Sequence, residues 1–472
     1  MMEAAGSAAA SFIIRNISKR PVAILCGPGN NGGDGFVVAR KLKEAGWTVR
    51  LGLVGDKSYL KGDAALMAGL FDGAIEPLSA SVMEGAGLIV DALFGTGLAR
   101  AIESPEREVI EAANAHPAPK IAIDIPSGVD ADTGAVLGAA IQANATVTFI
   151  ARKPGHILFP GRALAGSVEL ADIGVRDALI AALDPKTFDN HPALWAGRWR
   201  RPGFAAHKYD RGHAAIVSGP RLKTGAARLA ALSALRVGAG LVTMLSPKDA
   251  ADENAAHLTA VMLREADGAA AIAEALSDKR FTVALIGPGA GVGAATKDRV
   301  LTILKSSAGA VLDADALTSF EGDAQSLFAA LRADDVLTPH AGEFARLFPP
   351  LKAKPRLEAA RAAAAQARCV IVLKGADTII AAPDGRAIIN SNAPFDLATA
   401  GAGDVLAGAI AGMRAQGTPG FEAAASGVWL HGAAGQVAGP GLIAEDLPNA
   451  LPQVLRMLFA PPPRSSDEKR NA

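Results

Sequence analysis

The chain has 472 residues, 50% of them hydrophobic and 5% aromatic, with 51 glycines and 47 basic residues balancing 47 acidic ones. That length exceeds what one hydrophobic core serves, so two or three domains are expected, with the composition of an Ala/Gly-rich α/β enzyme. Zero formal net charge removes the electrostatic case for nucleic acid or a membrane surface as partner, and no apolar run reaches spanning length before Gly, Pro or a charge breaks it.

The opening stretch MMEAAGSAAASFI lacks a basic leader and carries Glu3, which argues against a signal peptide. Cys26 and Cys369 lie in or beside apolar runs, as buried reduced thiols do, which suits a cytoplasmic protein. From residue 21 to about 175, short apolar runs alternate with helical stretches: VAILC (22–26), VRLGLV (49–54), GLIVDALF (87–94), IAIDIP (121–126) and ATVTFI (145–150). Such alternation predicts βαβ units and a parallel sheet. Three polar signatures sit at strand ends: NNGGD (30–34), DALFGTGL (91–98), with Gly95 to Ala101 as a second phosphate-bearing stretch, and DIPSGVD (124–130). At the carboxyl ends of parallel strands they would meet on one edge. Glycines before a helix let backbone N–H groups approach a phosphate. Asn31, Asp91 and Ser127 offer oxygens to a hard cation, and so few formal charges suit a monovalent ion better than Mg²⁺. Asp124 ends an apolar strand, where partial desolvation prepares a carboxylate for acid–base work. Each segment alone reads equally well as a loop cap; the three together point to a site.

A second alternating set follows: HAAIVSGP (213–220), LVTMLSP (241–247), VALIGPG (283–289), GAVLDADAL (309–317), DVLTPHAGE (335–343) and VIVLKGAD (370–377). The boundary is expected near 190–205, where the basic WAGRWRR (195–201) reads as a solvated linker. The domains are therefore 1–190 and 203–460, with 461–472 a disordered tail. In ATAGAGDVLAGAIAGM (398–413), Gly401 and Gly403 precede a helix of small residues. Backbone N–H groups of Ala402, Gly403 and Asp404 can form an anion hole, and Asp404 can accept a proton from an attacking hydroxyl. An acidic helix start is common by itself. KGADT (374–378) adds Lys374 for nucleotide phosphates, whereas His340 alone does not outrank an ordinary surface or core histidine.

GPGNNGGDG, DALFGTGL and DIPSGVD, in that order, resemble the NAD(P)H-hydrate epimerase domain over roughly residues 1 to 180. The resemblance implies a Rossmann-like three-layer fold, a bound K⁺ and interconversion of the R and S hydrates of NADH and NADPH (NADHX and NADPHX). It places the substrate on Asn30, Asn31, Gly32, Gly33, Asp34 and on Gly95, Thr96, Gly97, Leu98, Ala99, Arg100, Ala101. It also implies K⁺ on Asn31, Asp91 and Ser127, and Asp124 facing the ring. GHAAIVSGP, GPGAG, VLDADAL, TPHAGE, KGADT and GAGDVLAG run in the order of the ribokinase-like ADP/ATP-dependent NAD(P)H-hydrate dehydratases, across about 205 to 455. This implies ADP-driven dehydration of the S hydrate, with ATP as the alternative nucleotide and Mg²⁺ as its metal. Ala226, Gly289, His340 and Asp404 match hydrate-contacting positions; Lys374, Gly375, Ala376, Asp377, Thr378 and Gly403 match nucleotide positions. The usual Gly-Thr-Gly-Asp is Gly-Ala-Gly-Asp here, a loss of one hydroxyl that a backbone-made anion hole tolerates. The whole is expected to be a bifunctional α/β repair enzyme and a homo-oligomer. Rival readings are a small-molecule kinase and, for the first half, a non-catalytic scaffold.

Overall fold

The computed structural model describes residues 1–200 and 202–460; the expected tail at 461–472 lies outside them. The chain divides into two compact units, Met1–Pro185 and a second beginning at Lys186. In the first unit the strands are β1 (Val22–Cys26), β2 (Val49–Leu53), β3 (Ile75–Pro77), β4 (Leu88–Ala92), β5 (Lys120–Ile123), β6 (Ala145–Phe149) and β7 (Ser167–Ala171). They form one parallel sheet in the order β3-β2-β1-β4-β5-β6-β7. VAILC and LIVDA are buried at every position because both faces of the sheet are covered, as a central parallel strand requires. Strand order reverses between β1 and β4, and the crevice beyond their carboxyl ends is where this topology binds ligands. Helix α1 (Met2–Asn16) lays Ala5, Ala9, Ala10 and Ile13 on one core face, and α2 (Asn30–Glu44) adds Phe36, Val38, Ala39 and Leu42 to it.

The second unit carries β8 (Thr187–Asp189), β9 (His213–Val217), β10 (Leu241–Ser246), β11 (Met262–Glu265) and β12 (Phe281–Ile286). It continues with β13 (Gly309–Leu312), β14 (Val336–Leu337), β15 (Val370–Leu373), β16 (Ile379–Ala381) and β17 (Ala387–Ile389). Their order is β11-β10-β9-β12-β13-β14-β15-β16-β17-β8; it is parallel up to β15, and β16 is antiparallel to both its neighbours. The switch point lies between β9 and β12. Small residues let the helices Gly225–Arg236 and Ala402–Ala415 pack closely: a Cβ on Gly408 would sit 2.1 Å from the Ala230 carbonyl oxygen.

The expected solvated linker is a correction. Residues 186–190, assigned by sequence to the first domain, belong to the second unit, because β8 pairs in parallel with β17 at the edge of its sheet. Trp195 and Trp199 are buried in that unit's core, while Arg198 and Arg200 between and beside them are exposed. Asn190 Nδ2 donates to Asn390 Oδ1 at 2.9 Å and to the Ala425 carbonyl at 2.8 Å, and its Oδ1 accepts from Trp195 Nε1 at 3.1 Å. Exposed arginines give the segment a linker's composition, but its two indoles and one buried amide anchor it. Among the described residues no helix is long and apolar enough to cross a membrane, and both cysteines are buried and free.

Candidate active sites

In the first unit, β1 delivers the chain into the first turn of α2, and β4 and β5 deliver Asp91 and Asp124 to the same edge. A cavity of about 680 Å³ opens there, walled by Asn30, Asn31 and Asp34 on one side, Gly95–Arg100 on the other, and Asp124. Gly32, Gly33 and Ala101 do not line it. Gly33 is turned away: its N–H donates to the Gly29 carbonyl at 3.1 Å, and a Cβ there would meet Met2 Sδ at 2.5 Å. The missing Cβ of that glycine leaves room for α1. Asn30, Asp34, Thr96 and Asp124 also face a second cavity of about 540 Å³, which reaches Lys153 and Arg152.

Asp91 is fully buried. Its Oδ1 accepts from Ser127 Oγ at 2.5 Å and from the Leu93 N–H at 3.2 Å, and its Oδ2 accepts from the Ser127 N–H at 2.8 Å. Burial pushes its pKa up to about 6, against the pull of those donors. Asn31 is 8% exposed, and neither polar atom of its amide has a partner among the described residues. A buried amide left unsatisfied is costly, so this amide suits an external ligand. Asp91 and Ser127 are both fully buried, are bonded to each other and line neither cavity.

Asp124 has φ +68°, a left-handed backbone that non-glycine residues rarely adopt and that concentrates at functional sites. Its Oδ2 accepts from the Thr96 N–H at 3.3 Å, and its Oδ1 pairs with Lys153 Nζ at 2.5 Å. Burial, together with the negative charge of Asp124, pushes Asp34 up to about 7. Lys153 and His156 escaped sequence reading, although the RKPGH run just past the ATVTFI strand was the available signal.

In the second unit the loops after β9, β12, β13, β14 and β15 and the first turn of Ala402–Ala415 share the carboxyl edge of the sheet. Lys374 Nζ pairs with the buried Asp313 Oδ1 at 2.6 Å, and a Cβ on Gly403 would lie 3.6 Å from that same Nζ. Burial works against the Lys374 ammonium, yet Asp313, Glu343 and Asp404 together hold its pKa above the usual lysine value. Asp404 is raised to about 6, by burial first and then by repulsion from Asp313, with Lys374 opposing. KGADT is the turn between β15 and β16; Thr378 Oγ1 donates to the Gly375 carbonyl at 2.8 Å, and Arg356 Nε pairs with Asp377 at 3.0 Å. His340 caps the helix Ala341–Leu347: its Nδ1 accepts from Gly342 N–H at 2.9 Å, and its Nε2 lies 3.1 Å from Glu343 Oε1. Gly289 has φ +66° after β12, and Ala226 lies in the first turn of Gly225–Arg236. Asp313, Glu343, Arg356 and His431 are functional candidates not singled out from sequence. His431 Nε2 is buried without a partner among the described residues.

A family model described as NAD(P)H-hydrate dehydratase matches residues 214–453, and one described as YjeF-related protein N-terminus matches 1–155. A bifunctional NAD(P)H-hydrate repair enzyme of Moorella thermoacetica is 38% identical, over 97% of this chain and 92% of the relative. Its Escherichia coli namesake is 36% identical, over 92% and 84%. Among solved structures, a ribokinase-like superfamily protein of Enterococcus faecalis aligns with TM-score 0.53 and 25% identity, covering 58% of this chain and 98% of that one. The Bacillus subtilis ADP/ATP-dependent NAD(P)H-hydrate dehydratase, co-crystallized with ATP and Mg²⁺, aligns with TM-score 0.50 and 29% identity, covering 57% and 98%. The expected ribokinase-like fold is thus found in the second unit, and two family models divide the chain between them. Full-length similarity on both sides of that division leads to one conclusion: the chain belongs to the bifunctional NAD(P)H-hydrate repair enzymes.

Proposed function

We propose that the first unit interconverts the R and S hydrates of NADH and NADPH, and that the second uses ADP to dehydrate the S form, releasing AMP and phosphate. The observation that carries this reading is one carboxylate per unit at the ligand-binding edge of its sheet: Asp124 facing two cavities, and Asp404 beside the Lys374–Asp313 pair. The domains of this reading are the epimerase unit to Pro185 and the dehydratase unit from Lys186.

In the first unit Asn30, Asp34 and Gly95–Arg100 bind the substrate, the helix start of α2 favouring its phosphates. K⁺ would be held by Asn31, Asp91 and Ser127, where it supplies positive charge that lowers the cost of a phosphate nearby. Asp124 holds or takes a proton at the hydrated ring. In the second unit the N–H groups of the Gly-Ala-Gly-Asp turn bind the transferring phosphoryl group, Lys374 neutralises it, and Asp404 takes the hydroxyl proton as the new O–P bond forms. The hydroxyl at C6 is a poor leaving group; as a phosphate ester it departs with the C–O electron pair, and loss of a proton from C5 restores the dihydronicotinamide. Lys374–Thr378 and Gly403 serve the nucleotide, and Ala226, Gly289, His340 and Asp404 serve the hydrate. Among the described residues no group of three or more His, Cys, Asp or Glu is arranged to hold a metal. Mg²⁺, when bound, would supply positive charge to the nucleotide phosphates, as at many nucleotide sites.

The test is incubation of the purified protein with mixed R and S hydrates plus ADP, ATP or neither, following the return of reduced-nicotinamide absorbance and the release of phosphate. The reading requires both hydrates to be consumed with ADP, with one phosphate released per cofactor restored. Accumulation of a phosphorylated hydrate would instead favour a plain kinase.

A further inference from the structure

We propose that the turn from Lys153 to His156 is a positioning device for Asp124, fixing which carboxylate oxygen faces the ring of the hydrate; this rests on the epimerase reading of the first unit. The turn grips Asp124 at two points. Lys153 Nζ binds Oδ1 at 2.5 Å, and His156 Nε2 lies 2.8 Å from the Asp124 backbone carbonyl oxygen. The donor pattern assigns the imidazole: Nδ1 accepts the Lys153 N–H at 3.0 Å, so Nε2 carries the hydrogen and donates to that carbonyl. Lys153 Nζ is itself oriented by Thr148 Oγ1 at 2.7 Å and by the Phe149 carbonyl at 3.2 Å, both from β6.

The grip has work to do because the Asp124 backbone stands at φ +68°, in the left-handed region that an aspartate enters only occasionally. A left-handed residue persists where its surroundings over-determine it. With Oδ1 taken by Lys153, Oδ2 is the oxygen left beside the Thr96 N–H and the Gly95 wall, where both cavities meet. Lys153 lines the cavity it shares with Asp124 and Thr96, and not the one walled by Gly97 and Arg100.

The experiment uses the full-length protein and one pure hydrate, following the appearance of the other by chromatography. Lys153→Gln should lower kcat for epimerisation about 100-fold, since misplacing a reacting group by an ångström costs that much, with KM within about threefold of wild type. Lys153→Arg, which keeps the charge, should stay within about tenfold of wild type. His156→Phe should lower kcat roughly tenfold and His156→Gln, which keeps a donor, should restore it. If Lys153→Gln does not fold, the His156 pair decides on the same criterion. Full kcat in a folded Lys153→Gln, or a loss confined to KM, overturns the proposal. Wild type and Asp124→Asn run alongside. No epimerisation by wild type, or its persistence in Asp124→Asn, overturns the epimerase reading and this proposal with it. An active wild type, an inactive Asp124→Asn and an unimpaired Lys153→Gln overturn this proposal alone.

Discussion

In the proposed dehydration, Asp404 is the residue whose protonation state should set the rate. A base must be ionised to accept the hydroxyl proton, and burial with Asp313 nearby lifts its pKa to about 6. The kcat/KM for dehydration should therefore climb as pH rises through about 6 and level off above it, and a flat profile from about pH 5 to pH 8 would remove Asp404 from that role. Asp404→Asn should leave nucleotide binding intact and cut dehydration by about 10²- to 10⁴-fold, read by single-turnover return of absorbance. At the other site, Asn31→Ala removes the unpartnered buried amide. Epimerisation should slow about 10- to 100-fold and lose its preference for K⁺ over Na⁺ at constant ionic strength, with dehydration of the S hydrate unchanged. A wild type indifferent to K⁺ would end the cation reading.

Helix contacts carry these residues into place. The helix Ala402–Ala415 bears Asp404 in its first turn and presses Gly408 against the backbone of Gly225–Arg236, where a Cβ would meet the Ala230 oxygen at 2.1 Å. Backbone cannot rotate aside as a side chain does, so Gly408→Ala must push the helices apart. The expected cost is about 1–3 kcal/mol, read as a lowered melting temperature of the second unit, with dehydration falling and epimerisation unaffected. Sequence reading found the central strands of both sheets, β1 and β4 in one and β9 and β12 in the other, because each carries an apolar run. It passed over β3, β7 and β11, whose exposed or half-exposed residues follow no run, and the three-residue β8, β16 and β17. Edge strands are held by their neighbours' hydrogen bonds, and a single sequence window does not contain the neighbour.

At the scale of the whole molecule, the two units divide at Pro185 and Lys186. A fragment of residues 186–460 should dehydrate the S hydrate at the rate of the full chain and leave the R hydrate to its spontaneous epimerisation. One starting at residue 203 strips β8 and two buried tryptophans from the same core, and should lose at least ~3 kcal/mol in denaturant titration. Equal stability of the two fragments would show that 186–202 is linker after all. The sequence by itself determined the α/β class, the two-part plan, the glycine-rich turns, and Asp124 and Asp404 as the carboxylates at strand or helix ends. Those are local properties: an apolar period, a turn residue's permitted backbone, a charge at a helix start. Only the tertiary structure decided that Lys153 holds Asp124 across 29 residues, that Asp313 holds Lys374 across 61, and that Gly33 packs against Met2 of α1. Strand order and register decide which distant side chains share a few ångströms of low-dielectric space, and within that space the pairings and the raised carboxylate pKa values arise.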